Sequence, residues 1–322
     1  MKKTCTGFIY KIKLNKFRNI LLFWHHLSKS EGMEMNKKLI ALIALIAVIA
    51  VVLVIVFVIK PGAKKTESVP GLEDGVLTVA MECAYAPYNW AQPDDSNGAV
   101  PIKDSVLYAN GYDVMTAKAI CEANGWKLEI MQLDWDSLIP AVQSGTCDAV
   151  IAGQSMTSER MESVDFAGPY LYASIVCLAK KDSAFAGAKG ISDLKGGSCT
   201  SQSGTIWYDS CLPQIPDAKI GMPAESAPAM LMAVESGTVD FVCTDMPTAQ
   251  GAVIAYPDLV ILDFTGSGDD FNVSEEEINI GISVKKGNAV LKNAIDAYLK
   301  DKTADDFNAL MQEAIKIQPL SE

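Results

Sequence analysis

The segment Ala141-Val-Gln-Ser-Gly-Thr-Cys-Asp148 recurs 92 residues later, almost unchanged, as Ala233-Val-Glu-Ser-Gly-Thr-Val-Asp240. Each copy predicts the end of a helix, a glycine turn and the start of a buried strand. Such junctions are common, so chance similarity is one explanation. The other is that the chain contains two α/β lobes with one copy in each.

The sequence around the repeat supports an α/β architecture, because short apolar strands alternate with helical segments. Residues 76–81 predict a strand, and residues 113–124 predict a helix that stops at a glycine. Residues 147–152 predict a second, fully buried strand. The pattern therefore favours parallel strands connected by helices.

Ligands of open α/β sheets bind beyond the carboxyl ends of the strands. The residues just past the two repeated strands are Gly153-Gln-Ser-Met-Thr157 and Thr244-Asp245. If the two lobes face each other, these polar groups face each other as well. We therefore expect a ligand site in a cleft between the lobes.

Charge is distributed unevenly along the 322 residues. Residues 1–65 contain 12 Lys and Arg against 2 Asp and Glu, whereas the remainder contains 15 against 37. An acidic fold repels phosphate backbones, so we expect no nucleic-acid partner. Both histidines, His25 and His26, precede the folded region. That region lacks the commonest zinc ligand and the usual catalytic base, so we expect no metal, no cofactor and no catalytic residues.

Seven cysteines follow residue 65, and none forms a C-x-x-C pair. They are Cys83, Cys121, Cys147, Cys177, Cys199, Cys211 and Cys243. Their dispersed spacing argues against a metal site or a disulfide-dense scaffold. We expect most of them to be small buried hydrophobic residues, with one or two disulfides as the alternative.

Residues 39–59 form an uninterrupted apolar stretch of 21 residues. At a rise of ~1.5 Å per residue, a helix of this length crosses the ~30 Å hydrocarbon core of a bilayer. Basic residues precede the stretch, which predicts that the N-terminus stays in the cytoplasm. We predict a basic cytoplasmic leader at 1–38, an uncleaved transmembrane signal anchor at 39–59 and a linker at 60–74, with cleavage as the alternative. The folded region would then lie outside the cytoplasm, held at the cell membrane.

Arg160 is the only arginine after residue 18. A guanidinium binds a carboxylate through a rigid fork, and the preceding hydroxyl residues predict a helix start that favours an anion. Asp245 directly follows a predicted apolar strand and is suited to an ammonium group. A structural ion pair for Arg160, with Glu159, Glu162 or Asp165, and a helix N-cap for Asp245 are the alternatives. Together the two residues would bind the zwitterion that all free amino acids share.

At these positions the chain resembles the polar-amino-acid substrate-binding proteins of ABC importers, such as the glutamine-, histidine- and lysine/arginine/ornithine-binding proteins. The resemblance covers roughly residues 75–300. It is carried by Leu77-Thr-Val-Ala-Met-Glu-Cys-Ala-Tyr-Ala-Pro-Tyr88, Asp134-Trp-Asp-Ser-Leu-Ile-Pro-Ala-Val-Gln-Ser-Gly145, Ile151-Ala-Gly-Gln-Ser-Met-Thr-Ser-Glu-Arg160, Gln202-Ser-Gly-Thr205 and Val239-Asp-Phe-Val-Cys-Thr-Asp245. It implies the two-lobed α/β fold of type 2 periplasmic binding proteins, in which the chain crosses twice between the lobes. Residues 75–170 and 278–322 would form lobe 1, and residues 174–275 lobe 2.

The resemblance also implies which residues bind the backbone of an amino acid. Arg160 would bind the α-carboxylate, together with Ser155 and Thr157 and the loop from Gln202 to Thr205. The partners would be an ABC permease and its ATPase, and we expect a monomer.

The remaining contacts implied by the resemblance concern the ammonium group and the side chain. Asp245 and the carbonyl of Gly153 would bind the α-ammonium. Tyr85 and Trp135 would sandwich the ligand side chain, and Glu82 would contact its distal polar end. A carboxylate there favours a polar or basic amino acid.

The sequence departs from the family pattern at several points. Gln154 stands where an apolar residue is usual, and the connection from Trp90 to Gly111 is longer than the usual hairpin. Ile206-Trp207-Tyr208 adds bulk beside the ligand loop. Two other functions share this fold: an amino-acid-sensing ectodomain that acts through a partner, and a dehydratase-type enzyme with Glu82 as its acid.

Overall fold

The computed structural model describes residues 69–319. The predicted leader and anchor, and most of the predicted linker, lie outside these residues. No helix between residues 69 and 319 has both the length and the apolar character needed to cross a membrane.

The strands of the described region are short. In chain order they are β1 Val76–Met81, β2 Ala84–Tyr85, β3 Asn89–Gln92, β4 Val100–Pro101, β5 Tyr108–Asn110, β6 Lys127–Gln132, β7 Ala149–Val150, β8 Val164–Tyr172, β9 Ile175–Lys180, β10 Ser198–Thr200, β11 Lys219–Ile220, β12 Phe241–Asp245, β13 Leu259–Leu262 and β14 Asn279–Lys285. The α-helices are α1 Tyr112–Asn124, α2 Leu138–Ser144, α3 Ser158–Ser163, α4 Ala227–Glu235, α5 Met246–Ala255, α6 Glu275–Ile278, α7 Ala289–Leu299 and α8 Ala304–Ile317.

Two five-stranded sheets have the same mixed arrangement. The first has the order β6-β1-β7-β14-β8 and the second the order β11-β10-β12-β9-β13. In each, the first three strands are parallel and the last two are antiparallel to their neighbours. We call the part built on the first sheet the first lobe and the part built on the second sheet the second lobe. The result is a mixed α/β fold like that of the periplasmic binding proteins, as the sequence predicts.

The repeated segment leads into equivalent strands of the two sheets. In the first copy α2 ends at Gly145, which is left-handed, and β7 follows. In the second copy α4 ends before Gly237, which is also left-handed, and β12 follows. Each strand is the central one of its sheet, and at the carboxyl end of β12 Asp245 accepts hydrogen bonds from Tyr85 and Tyr88 of the first lobe.

The chain passes between the two sheets twice. It leaves the first sheet after β8 and enters the second at β9, only two residues later. It returns between β13 and β14, and the helices α7 and α8 then complete the first lobe. The second passage includes α6, whose N-cap Ser274 forms a capping box with Glu277.

Most predicted elements form near their expected bounds. The helix predicted at 113–124 is α1. It ends at Gly125, whose left-handed backbone glycine adopts more readily than residues with a side chain. The strand predicted at 147–152 is wrong in extent, since only Ala149–Val150 pairs in the sheet. The Ile151 amide still donates to the Ala80 carbonyl of β1 at 3.3 Å, and regular pairing ends there because the chain turns at Gly153 with φ 64°.

The long connection between Trp90 and Gly111 forms most of a small sheet of order β2-β3-β5-β4. Within it, Ile102 bridges to Ile130 of the edge strand β6, and the Lys103 amide donates to the Ile130 carbonyl at 2.8 Å. The insertion therefore covers part of an edge that would otherwise expose unpaired backbone groups.

All seven cysteines of the described region are free and buried. This agrees with the expectation that most act as small hydrophobic residues.

Candidate ligand-binding cleft

Glu82 directly follows β1 and is 7 % exposed. Its Oε2 atom makes no hydrogen bond within the described residues, and the same is true of Nε2 of Gln202 in the second lobe. The Gln202 amide lies close enough to lower the pKa of Glu82, although it does not reach hydrogen-bond geometry. Burial outweighs this effect and, with the nearby Asp113 and Asp134 carboxylates, raises the pKa of Glu82 to about 7. The two polar groups are thus buried beside each other between the lobes, without a hydrogen bond of good geometry.

Arg160 lies in the short helix α3, where Thr157 caps the N-terminus by accepting from the Arg160 amide at 3.3 Å. The guanidinium donates to the Ser155 carbonyl at 2.9 Å and, across the cleft, to the Gly204 carbonyl at 3.0 Å. Its Cζ atom lies 5.3 Å from the centre of the Trp135 ring, within cation–π range. Burial lowers the pKa of Arg160 to about 10, so the group remains charged at neutral pH.

The structural ion pair considered for Arg160 does not form. Asp165, one of its possible partners, instead lies 3.6 Å from Lys286. Within residues 69–319 the guanidinium is bound by carbonyl groups and an aromatic face, and no carboxylate forms an ion pair with it. A half-buried cation without an ion-pair partner favours the binding of an anion.

Asp245 is at the carboxyl end of β12 and is 1 % exposed. Its Oδ1 atom accepts from the Thr248 amide at 2.9 Å and caps α5, so the helix-cap role is observed. Its Oδ2 atom accepts from the hydroxyls of Tyr88 at 2.8 Å and Tyr85 at 3.3 Å, both from the first lobe. Burial raises the pKa of Asp245, although these hydrogen bonds lower it. The cap therefore leaves one oxygen of Asp245 at the contact between the lobes.

Tyr85 and Trp135 have different neighbours in this structure. The Tyr85 ring stacks on Tyr88, with centroids 4.7 Å apart and planes inclined by 15°. It also contacts Trp207 of the second lobe, at 6.4 Å and 55°. Trp135, which is half-buried, lies against Arg160 instead. The predicted sandwich of a ligand side chain by Tyr85 and Trp135 stays a prediction.

The surroundings of position 153 favour glycine over any other residue. Its φ of 64° is in the left-handed region, and a Cβ atom there would lie 2.8 Å from Cε1 of Tyr85. Its amide donates to the Tyr170 hydroxyl at 3.0 Å, which fixes the turn after β7. The absence of a side chain thus lets Tyr85 lie against the backbone at the ligand site.

The loop of the second lobe from Gln202 to Thr205, which we call the ligand loop, is stabilised internally. The Thr205 hydroxyl donates to the Gln202 carbonyl at 2.7 Å, and both residues are buried. Between them, Gly204 lies so close to Trp135 that a Cβ atom would be 3.3 Å from the indole nitrogen. The ligand loop therefore meets both Arg160 and Trp135 of the first lobe.

The sequence did not single out a buried polar network behind the site. Asp113 is fully buried and accepts from the Tyr170 hydroxyl at 2.6 Å and from Nδ2 of Asn89 at 2.8 Å. Burial raises the pKa of Asp113 to about 7. Tyr88 is fully buried and also donates its hydroxyl to Asp245. The sequence signal for this network was the group of aromatic residues after β1, namely Tyr85, Tyr88 and Trp90.

Gln154 does not contribute to the cleft. Its Oε1 atom accepts from the Ser283 hydroxyl at 2.8 Å, and its carbonyl accepts from the Gly281 amide, both on β14. The side chain is 1 % exposed and belongs to the interior of the first lobe. The departure from the family at this position therefore does not alter the ligand-contacting surface.

A cavity of about 610 Å³ opens beside Arg160 and is lined by both lobes. Its walls include Thr157, Thr205, Asp209 and Glu276. Glu82 and Asp245 do not line it, since both are buried at the contact between the lobes. The cavity thus reaches the guanidinium end of the site.

Similar proteins bind amino acids. A "Probable histidine-binding protein" of Neisseria gonorrhoeae is 28% identical over 257 residues, which cover 77% of this chain and 87% of that protein. The amino acid ABC transporter substrate-binding protein AbpA of Streptococcus pneumoniae, solved bound to L-arginine, is 26% identical with a TM-score of 0.62, covering 76% of this chain and 95% of that one. The ancestral amino acid-binding protein AncCDT-1, a precursor of cyclohexadienyl dehydratase, is 29% identical with a TM-score of 0.62, covering 77% and 100%.

The family match spans both lobes. Residues 77–315 match the bacterial extracellular solute-binding proteins, family 3. This segment contains both sheets, both passages between them and every residue of the cleft described above. The chain belongs to this family of solute-binding proteins.

Proposed function

We propose that this protein binds a free amino acid between its two lobes, outside the cytoplasm, and delivers it to an ABC importer. The observation that carries the proposal is Arg160, a half-buried guanidinium that bonds carbonyls from both lobes and forms no ion pair among the described residues. An α-carboxylate would supply the missing negative charge. Asp245, at the end of the equivalent central strand of the other lobe, would bind the α-ammonium.

The charge balance of the cleft favours a basic amino acid. Glu82, Asp113 and Asp245 are buried carboxyl groups, and burial raises the pKa of each. Arg160 is the one cation proposed to contact the ligand, and an amino acid's own carboxylate and ammonium cancel each other. A ligand with an additional positive side chain would therefore relieve the desolvation cost of Glu82, whose Oε2 atom has no hydrogen bond.

The proposed function is binding rather than catalysis, in line with the family and with the similar proteins named above. Ligand capture would shift the population toward the closed arrangement, because Arg160 and Asp245 come from opposite lobes and contact one ligand together only when the lobes are shut.

A thermal-shift screen of the detergent-solubilised full chain tests the proposal. All twenty L-amino acids, with ornithine and citrulline, would be added one at a time. We expect the basic amino acids to raise the Tm most, since ligand that binds only the folded state stabilises it by mass action. A screen in which no amino acid changes the Tm would refute the proposal.

Replacing Arg160 with Ala should abolish this binding. The substitution leaves the ligand carboxylate buried and unpaired, at a cost of about 3–5 kcal/mol. Calorimetry with the best ligand of the screen measures the effect. Lys127→Ala, which removes an exposed cation on the edge strand β6 of the same lobe, is the matched control and should leave the affinity unchanged. An unchanged affinity for Arg160→Ala would remove this residue from the site.

We further propose that residues 39–59 anchor the protein in the cell membrane, with residues 1–38 in the cytoplasm, and that the protein acts as a monomer. The apolar stretch and the basic residues before it support the anchor. Fractionation of cells, followed by protease treatment of spheroplasts, would test it. The folded domain should fractionate with the membrane, and protease added outside the spheroplasts should digest it.

A further inference from the structure

Trp207 lies two residues beyond the ligand loop, at the start of the π-helical turn Trp207–Cys211. It is 6 % exposed, and its ring centroid lies 6.4 Å from that of Tyr85 with the planes inclined by 55°. Because Tyr85 belongs to the first lobe and Trp207 to the second, the two rings meet only across the cleft. Their inclination makes them adjoining walls of a corner rather than a parallel stack.

The turn that carries Trp207 is held in place on its other side. Cys211 at its end is fully buried, and the Tyr208 hydroxyl donates to the Gly221 carbonyl at 2.8 Å. The indole therefore projects from a fixed turn, and its position relative to Tyr85 is set by the closure of the lobes. A rigid aromatic wall discriminates between ligands better than a mobile one.

Polar groups complete this corner. Oε2 of Glu82 and Nε2 of Gln202 are buried and make no hydrogen bond within residues 69–319. The Glu82 carboxylate lies close enough to Tyr85 to contribute to the raised pKa of that hydroxyl, and the Gln202 amide lies close enough to Glu82 to lower the pKa of that carboxyl. Trp135 cannot offer the same wall as Trp207, because the Arg160 guanidinium already lies over the face of the Trp135 ring.

We propose that Trp207 is a specificity-determining residue: with Tyr85 it forms the aromatic corner that receives the cationic end of the ligand side chain, while Trp135 positions Arg160. This inference rests on the proposed function. A flat, delocalised cation such as a guanidinium stacks on indole and still donates to a carboxylate in its own plane. A compact, strongly hydrated ammonium gains less from the same wall, so the corner selects guanidinium over ammonium side chains.

Calorimetry on the detergent-solubilised full chain, with L-arginine and L-lysine as ligands of equal charge, tests the proposal. The variants are Trp207→Leu, Trp207→Phe and, as control, Trp126→Phe, a partly buried tryptophan of the first lobe outside these contacts. We expect Trp207→Leu to weaken L-arginine roughly tenfold and L-lysine by less than about threefold, which is the scale of one cation–π contact. Trp207→Phe should retain part of the preference, and Trp126→Phe should leave both affinities unchanged.

The outcomes separate the two proposals. If the wild-type chain binds no amino acid, the proposed function fails. If it binds and Trp207→Leu leaves the ratio of the two affinities unchanged, the role of Trp207 is refuted while the function stands. Should Trp207→Leu not fold, calorimetry of Trp207→Phe decides the matter. A ratio of L-arginine to L-lysine affinity that falls in Trp207→Phe but not in Trp126→Phe supports the proposal, and an unchanged ratio in both overturns it.

Discussion

Replacing Glu82 with Gln should stabilise the folded protein above neutral pH when no ligand is added. Burial raises the pKa of this carboxyl from 4.5 to about 7. At 1.36 kcal/mol per pKa unit, the ionised form costs about 3 kcal/mol more in the folded than in the unfolded chain. Glutamine has nearly the same shape but carries no charge, so it removes this cost.

The sign of the pH dependence follows from proton binding. Between pH 4.5 and about 7 the folded state binds more protons at Glu82 than the unfolded state. The free energy of unfolding therefore falls as the pH rises from 4.5 to about 7, and this free energy stays low at higher pH. Glu82→Gln should gain up to about 3 kcal/mol at pH 8 and almost nothing at pH 4.5.

Urea unfolding of wild-type and variant chains at pH 4.5, 6 and 8 measures the effect. Glu122→Gln, an exposed glutamate on α1, is the control and should change the free energy of unfolding equally little at every pH. The ligand provides a second readout. Binding of L-arginine at pH 6 should release more protons from the wild-type protein than from Glu82→Gln, by close to one, since the cation favours ionised Glu82.

The reasoning is refuted if Glu82→Gln and wild type show the same pH dependence of unfolding. It is also refuted if proton release on binding is equal in the two chains. Either result would mean that Glu82 is hydrated enough to titrate normally.

Two further substitutions test the contacts around Tyr85. Tyr88→Phe removes the 2.8 Å hydrogen bond to the buried Asp245 and should lower the free energy of unfolding by about 1–3 kcal/mol, whereas Tyr256→Phe, whose hydroxyl has only a weak contact with sulfur, should change it little. Urea unfolding that ranks the two variants equally would contradict the role of the Tyr88 hydroxyl. Gly153→Ala should lower the Tm more than Gly125→Ala. Both glycines have left-handed backbones, but only at Gly153 would the added Cβ lie 2.8 Å from another atom, Cε1 of the Tyr85 ring. Equal losses of Tm would show that the ring moves aside without cost.

Several local features were predictable because their causes lie within a few residues. The strand Val76–Met81 has the predicted bounds, since its apolar character and its flanks define it. The helix α1 ends where predicted, because Gly125 adopts a left-handed conformation that other residues disfavour. Arg160 was identifiable as the only arginine after residue 18.

The sequence alone determined the α/β class, the two copies of the helix–glycine–strand unit and the polar residues that follow each central strand. Periodicity, glycine positions and residue chemistry are local properties, and they do not depend on how the lobes meet. Membership of the solute-binding family follows from many ordered segments of this kind.

Only the tertiary structure decided what those residues contact. Tyr88 bonds Asp245 across 157 positions, and Trp207 rather than Trp135 meets Tyr85, because the chain passes twice between the sheets and brings distant segments together. The pKa of Glu82 is likewise a property of the closed cleft, since desolvation depends on the atoms that surround the carboxyl and not on its neighbours in sequence.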